Sequence, residues 1–235
     1  MSRMPTGEGI DIWDLNSCAN KLINQSCTLG ARYLKDPTIR LQFSREVANY
    51  TKKILLQVED GQKDLKQGMD ALLKEYEYLI RQGKYIAQKG IGIAAGAGQV
   101  ALGAGICGVS LGTLCLFASV PLVLHGANNI YENSAQLWTG DPSVQGPVRQ
   151  AYQAVAKALG ETEREGNLVY GTVDIGMSIY GASRWVLRED AWRLFRYIET
   201  DYIRAWKVTP PAAIITERAA DAITIDGMHS EWKKE

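Results

Sequence analysis

Between Lys89 and Glu132 the chain runs for 42 residues without an aspartate, glutamate, lysine or arginine, and this interval constrains the fold more than any other feature. A helix needs about 20 predominantly apolar residues to cross a bilayer. The block Gly90–Tyr131 therefore has the length of two antiparallel spans joined near Ser110 to Thr113, with both ends on one side. Nine glycines lie between Gly90 and Gly126. Each costs a helix interior about 1 kcal/mol against alanine, a sum comparable with the stability of a small domain. Close helix packing or a functional demand must offset that cost.

The small residues form ridges. Gly92 and Gly96 make one G-x-x-x-G, and Gly108 and Gly112 make another, preceded four residues earlier by Ala104. Ala97, Ala101 and Gly105 form a third ridge. Small residues four apart share a helix face and let two backbones approach closely, as in membrane helix pairs. The halves of the block differ. Gly90–Val109 is small and weakly hydrophobic, with Gln99 at its middle. Leu114–Leu124 is strongly apolar but short, holding Leu116 and Phe117, with Pro121 near its end. Each half is a marginal span, which suits a chain that is soluble first and inserts later. The same residues also fit a buried helical hairpin in a purely soluble bundle.

The flanks read as helix, so the expected class is all-α: a bundle of long amphipathic N-terminal helices around a central glycine-rich apolar hairpin. Ile12, Leu15, Ala19, Leu22, Ser26, Leu29 and Tyr33 form one stripe at three- and four-residue spacing. Asp36-Pro37 supplies an N-cap and a first helical position. A second stripe runs from Ile39 to Val58 and resumes from Leu65 to Ile86, with Gly61 between them as a break or a weak point. After the block, Val148, Tyr152, Val155 and Leu159 give a short helix closed by Gly160. Leu168–Leu187 is a second glycine-bearing apolar segment with Asp174 at its centre, where pairing with Arg184 or Arg188, or a place on a polar pathway, is expected. Trp192, Phe195, Ile198, Tyr202 and Trp206 predict a last aromatic helix ended by Pro210-Pro211. The tail to Glu235 mixes a short β-like run, Ala222–Ile225, with a charged end. The expected regions are an arm over 1–89, the hairpin over 90–131, a helical region over 132–207 and the tail over 208–235, folding as one cooperative domain.

Other chemistry is sparse. The 26 basic and 26 acidic residues balance, so nothing global draws the chain to nucleic acid or to an anionic membrane surface. No cofactor or metal site is expected, because Cys18, Cys27, Cys107 and Cys115 show no metal-ligand spacing and the only histidines are His125 and His229. The two cysteines inside the block read as small apolar side chains. Gly103 to Gly108 match G-x-G-x-x-G, but inside a glycine-alanine run without the required strand or acidic partner. Glu161, Glu163 and Glu165 fit a helix start, where the dipole favours acids. An enzymatic toxin built on carboxylates around Glu161 to Asp174 is the weakest reading; the expectation is a non-enzyme. Met1–Ile12 lack the apolar region of a signal peptide, so a dedicated secretion machine is expected to carry the protein from the producer's cytoplasm.

The segments GIGIAAGAGQVALGAGICGVSLG, NNIYEN and YGTVDIGMSIYGASR, within Gly90–Arg184, resemble a bacterial domain of previously unknown function. Such domains occur as small stand-alone proteins and as C-terminal cargo of polymorphic toxins, and are associated with pore-forming type VI secretion effectors. The resemblance implies an antibacterial effector that depolarises the target cell's inner membrane, a cognate immunity protein, a secretion carrier or chaperone, and a homo-oligomer in the membrane. The alternative is a soluble helical interaction protein with the hairpin as its permanent core.

Overall fold

The computed structural model describes residues 11–109, 119–191 and 199–233. Among these residues the chain is all-α apart from one two-stranded sheet: α1 (Ile12–Tyr33), α2 (Pro37–Glu59), α3 (Leu65–Val109), α4 (Val120–Thr139), α5 (Pro147–Ala158), α6 (Glu163–Ser183), β1 (Trp185–Leu187), β2 (Tyr202–Arg204) and α7 (Pro211–Trp232). The chain divides into two compact units at Ile86/Ala87, inside α3.

The first unit is built as the sequence stripes require. Asp11 and Asp14 close a capping box on α1. Asp36 Oδ1 accepts the Thr38 and Ile39 amides at 2.7 and 3.1 Å, with Pro37 in the first turn. These caps satisfy donors that a helix start leaves free. Gly61 does break the stripe: its φ of +69° is a left-handed conformation that ends α2. Leu15, Leu22, Val47, Ile54, Met69, Leu72 and Leu79 then meet in one apolar core.

In the second unit α3 and α4 run antiparallel and nearly touch. A Cβ added at Gly92 would meet Asn133, one at Gly96 would lie 2.5 Å from the Gly126 carbonyl oxygen, and one at Gly103 would lie 2.9 Å from the Ser119 carbonyl oxygen. The turn expected near Ser110 to Thr113 lies outside the described residues, as does Cys115. Cys107 is disulfide-bonded, which corrects the expectation of a small apolar thiol there.

Two expectations fail in the C-terminal region. Tyr202 and Trp206 do not continue a helix. Tyr202–Arg204 pairs antiparallel with Trp185–Leu187, and Trp206 sits in a short 3-10 turn; Trp192, Phe195 and Ile198 lie outside the described residues. The tail is not β-like, because Pro211 opens the 22-residue helix α7 rather than ending one. Proline at the first helical position costs no hydrogen bond and presets φ.

Candidate functional site

The second unit fully buries more polar side chains than apolar ones. Its buried apolar residues among those described are Ala95, Leu122, Ala156, Tyr170 and Ala205. Its buried polar residues outnumber them: Gln99, Ser119, His125, Asn128, Glu132, Gln136, Gln153, Asn167 and Asp201. Outward the pattern reverses. Val120, Leu124, Tyr131, Leu137 and Trp138 line the exposed side of α4, with Trp138 92% exposed.

The interior is one hydrogen-bonded network. Glu132 of α4 takes a bidentate bond from Arg149 of α5, Nε to Oε1 and Nη2 to Oε2, both at 2.8 Å. The Asn128 amide donates to Glu132 Oε1 at 2.9 Å and the Gly146 N–H donates to it at 2.8 Å. The Arg149 guanidinium lies 4.4 Å from the Tyr170 ring centroid. The His125 ring stacks on Tyr170 with centroids 4.7 Å apart. The Tyr170 hydroxyl donates to Asn129 Oδ1 at 2.9 Å and accepts from Asn128 at 3.0 Å. A carboxylate so enclosed is tolerated only because its lone pairs are met by a charge partner and further donors.

Asp174 joins α6 to the hairpin. Its Oδ1 accepts from Gln99 Nε2 at 2.8 Å and Asn129 Nδ2 at 3.2 Å, and His125 Nδ1 lies 3.7 Å away. The expected partners Arg184 and Arg188 are used elsewhere. Arg184 donates to the Gly181 carbonyl and Arg188 pairs with Asp190 at 2.8 Å. Both stand beyond the last turn of α6, at least ten residues from Asp174. A cavity of about 330 Å³ opens on this network, lined by Lys89, Gln99, Arg149, Tyr170, Asp174, Glu217 and Asp221 among others. Ser178 Oγ lies within hydrogen-bond reach of two α7 carboxylates, Asp221 at 3.1 Å and Glu217 at 3.4 Å. Burial pushes both carboxyls above the usual carboxylate range, and for Glu217 the neighbouring Asp221 adds to it.

Of the helix-packing candidates, Gly92 and Gly96 face α4, and Pro121 stands in the first turn of α4. Ala97, Ala101, Ala104 and Gly105 are exposed, and Gly105 would find nothing within 4 Å of an added Cβ. Gly108 lies in the last turn of α3, and Gly112, Leu116 and Phe117 lie outside the described residues. Gly103 and Gly126, which stand outside the three small-residue ridges, complete the close seam. Gly103 was masked by its place in G-x-G-x-x-G, a motif that here lies wholly within α3. Glu163 and Glu165 occupy the first turn of α6, where Glu165 closes a capping box with Thr162. They stand at least nine residues before Asp174, roughly 13 Å along the helix, and do not converge with it. Among the described residues no three His, Cys, Asp or Glu side chains are grouped to hold a metal ion.

A family described as a protein of unknown function, DUF4225, matches residues 62–210, more than half of the chain. The chain belongs to the DUF4225 family. The DUF4225 match takes in α3 to α6 and the β1–β2 pair, and with them the Glu132–Arg149 pair, Tyr170 and Asp174. No curated protein and no solved structure matches the chain.

Proposed function

We propose that the chain is a membrane-inserting effector that forms an ion-permeable pore and depolarises the target cell. The observation that carries this reading is the inverted second unit, with ionic and amide groups inside and large apolar side chains outside. Water favours the opposite arrangement, and a bilayer favours this one, because polar groups there must be satisfied internally. The α3 helix adds to it. An 18-residue window of that helix has mean hydropathy 1.5, enough to cross a membrane by length and composition, and only 28% of that window is buried. A soluble core helix of that composition is mostly covered.

The antibacterial target, type VI delivery, the immunity protein and the carrier come to this proposal through the sequence resemblance alone. Purified chain added to a planar bilayer is expected to give stepwise conductance, and added to the periplasm of sensitive cells to collapse their membrane potential. Cell death with an unchanged potential refutes the reading.

One observation favours the soluble-module reading: Gln99, Asn128, Asn129 and Asp174 are all hydrogen-bonded within the folded unit, as a permanent core requires. Flotation with liposomes separates the two, since the module predicts no stable membrane association.

A further inference from the structure

The β1–β2 pair follows α6, and its two faces differ. Register sets Trp185 opposite Arg204 and Leu187 opposite Tyr202. Side chains alternate along a strand, so these four share one face while Val186 and Ile203 share the other. The second pair is half-buried. The first face is open: Trp185 is 57% exposed and Tyr202 is 40% exposed. The Arg204 guanidinium lies 4.0 Å from the Trp185 ring centroid, and Arg204 also donates to the Ser183 carbonyl, which fixes it there. The 3-10 turn that follows repeats the pairing. Trp206 is 51% exposed, with Lys207 Nζ 5.5 Å from its ring centroid. A further groove of about 270 Å³ beside Trp206 is walled by Ile179, Ile214 and Arg218.

Clustered exposed aromatic and aliphatic side chains mark an interaction surface. This composition fits one occupant. Indole and phenol rings settle at the headgroup level of a bilayer, and arginine and lysine stems lie along the apolar zone while their charged ends reach phosphate. Charge supports the same choice. Arg204 and Lys207 stand at the Trp185 end of the pair, whereas Glu189, Asp190 and Glu199 flank the Leu187–Tyr202 end, and Asp190 is taken by Arg188. We propose that the face of Trp185, Tyr202, Arg204, Trp206 and Lys207 is a docking surface for anionic phospholipid headgroups, on which the chain lands before its hairpin inserts. The proposal rests on the membrane-inserting reading and adds the lipid class and the contact residues.

The test is flotation of the full chain with vesicles of phosphatidylglycerol and phosphatidylethanolamine, set against pure phosphatidylcholine, with bilayer conductance recorded in parallel. The wild type is expected to partition at least tenfold more strongly to the anionic vesicles and to lose that preference in high salt, where such attraction is screened. The exposed double variant W206A/K207Q is expected to lose at least tenfold in partition with an unchanged helical spectrum. W185A is a second, independent probe. At concentrations that restore binding, the unitary conductance of W206A/K207Q should equal that of the wild type. Equal partition of variants and wild type, or no preference for anionic lipid, overturns the docking surface while wild-type conductance leaves pore formation standing. Patch-dependent flotation without conductance supports the docking surface and refutes the pore. A patch-dependent dimer in sedimentation with no lipid partition assigns the face to a second copy and overturns the proposal.

Discussion

A methyl group added at Gly126 tests what holds the hairpin together. A Cβ there would lie 2.5 Å from the Gly96 carbonyl oxygen and 2.9 Å from both Gln99 Cβ and the Val100 nitrogen. Two of those atoms are backbone, so no rotamer relieves the clash, and α3 and α4 must part by roughly 1 Å to regain ordinary packing distances. Overpacking of this kind costs about 1–3 kcal/mol. Separation also stretches the bonds that cross the seam, Asn129 to Gln99 at 3.1 Å among them, each worth about 1 kcal/mol. The helix recovers about 1 kcal/mol from exchanging glycine for alanine, leaving Gly126→Ala destabilised by about 2 kcal/mol. Gly176→Ala is the control: it lies in the middle of α6, and its added Cβ meets nothing within 4 Å. It keeps the propensity gain and is stabilised by about 1 kcal/mol. One chemical change thus gives opposite signs and a gap of about 3 kcal/mol, or roughly 6–12 °C in the melting of the second unit. Urea unfolding with hydrogen exchange on the α4 amides reads the gap in the correct unit. Equal stability of the two variants refutes the close seam.

Removing Arg149 should be far costlier than removing a surface cation. Arg149→Met leaves Glu132, 5% exposed at its side chain, unpaired and is expected to cost about 3–5 kcal/mol. Lys157→Met breaks a pair whose side chains are both 58% exposed and should cost under about 1 kcal/mol; urea midpoints compare them. The seating of α7 should depend on pH. Glu217 and Asp221 have carboxyl groups raised by burial, so the folded state binds their protons more tightly than the unfolded chain does. Their contribution is complete below the unfolded carboxylate value of about 4 and is lost as pH rises through the raised values. Hydrogen exchange on α7, corrected for intrinsic rate, should therefore show weaker protection at neutral than at acid pH. The double variant E217Q/D221N should abolish that slope, and a retained slope assigns it to other groups.

Local signals were legible where one face of a helix meets one core. The stripes of α1 and α2 report burial where neighbours cover them, at Leu15, Ala19, Leu22, Val47 and Ile54, whereas Ile12 and Ile39 at the stripe starts stay exposed. The signal failed in α7 for a physical reason. Ile214, Ile215, Ile223 and Ile225 are spread around the helix rather than along one stripe, and no α7 residue is fully buried, so periodicity had nothing to report. Tyr202 and Trp206 misled because aromatic spacing alone does not separate a helix face from a strand followed by a turn. Asp174 stood out as a lone charge in an apolar segment. Its partners Gln99 and Asn129 did not, since they lie 75 and 45 residues away in sequence and are brought to it only by the antiparallel seam. The same seam gives Gly126 its role, and a single glycine in a helix carries no pairing information by itself.

The network also bears on how many helices an inserted form contains. A hairpin of Gly90–Tyr131 entering hydrocarbon alone would strip Gln99, His125, Asn128 and Asn129 of Asp174 and Tyr170, and each unsatisfied polar group there costs several kcal/mol. Taking α6 along keeps the bonds to Asp174 and Tyr170. Between Glu165 and Arg184 the only charge in α6 is Asp174, and the hairpin amides already hold it. The 18 residues from Gly166 to Ser183 are close to the length of a span. On the membrane-inserting reading, the transferred unit thus holds α6 as well as the two hairpin helices, with Arg149 of α5 still paired to Glu132 just beyond Tyr131. Proteinase K, which cuts without regard to charge, acting on vesicle-bound chain should then spare two stretches, one holding Gly90–Tyr131 and one holding Gly166–Ser183. Recovery of the first alone would mean that the hairpin abandons its hydrogen-bond partners, and would refute the three-helix unit.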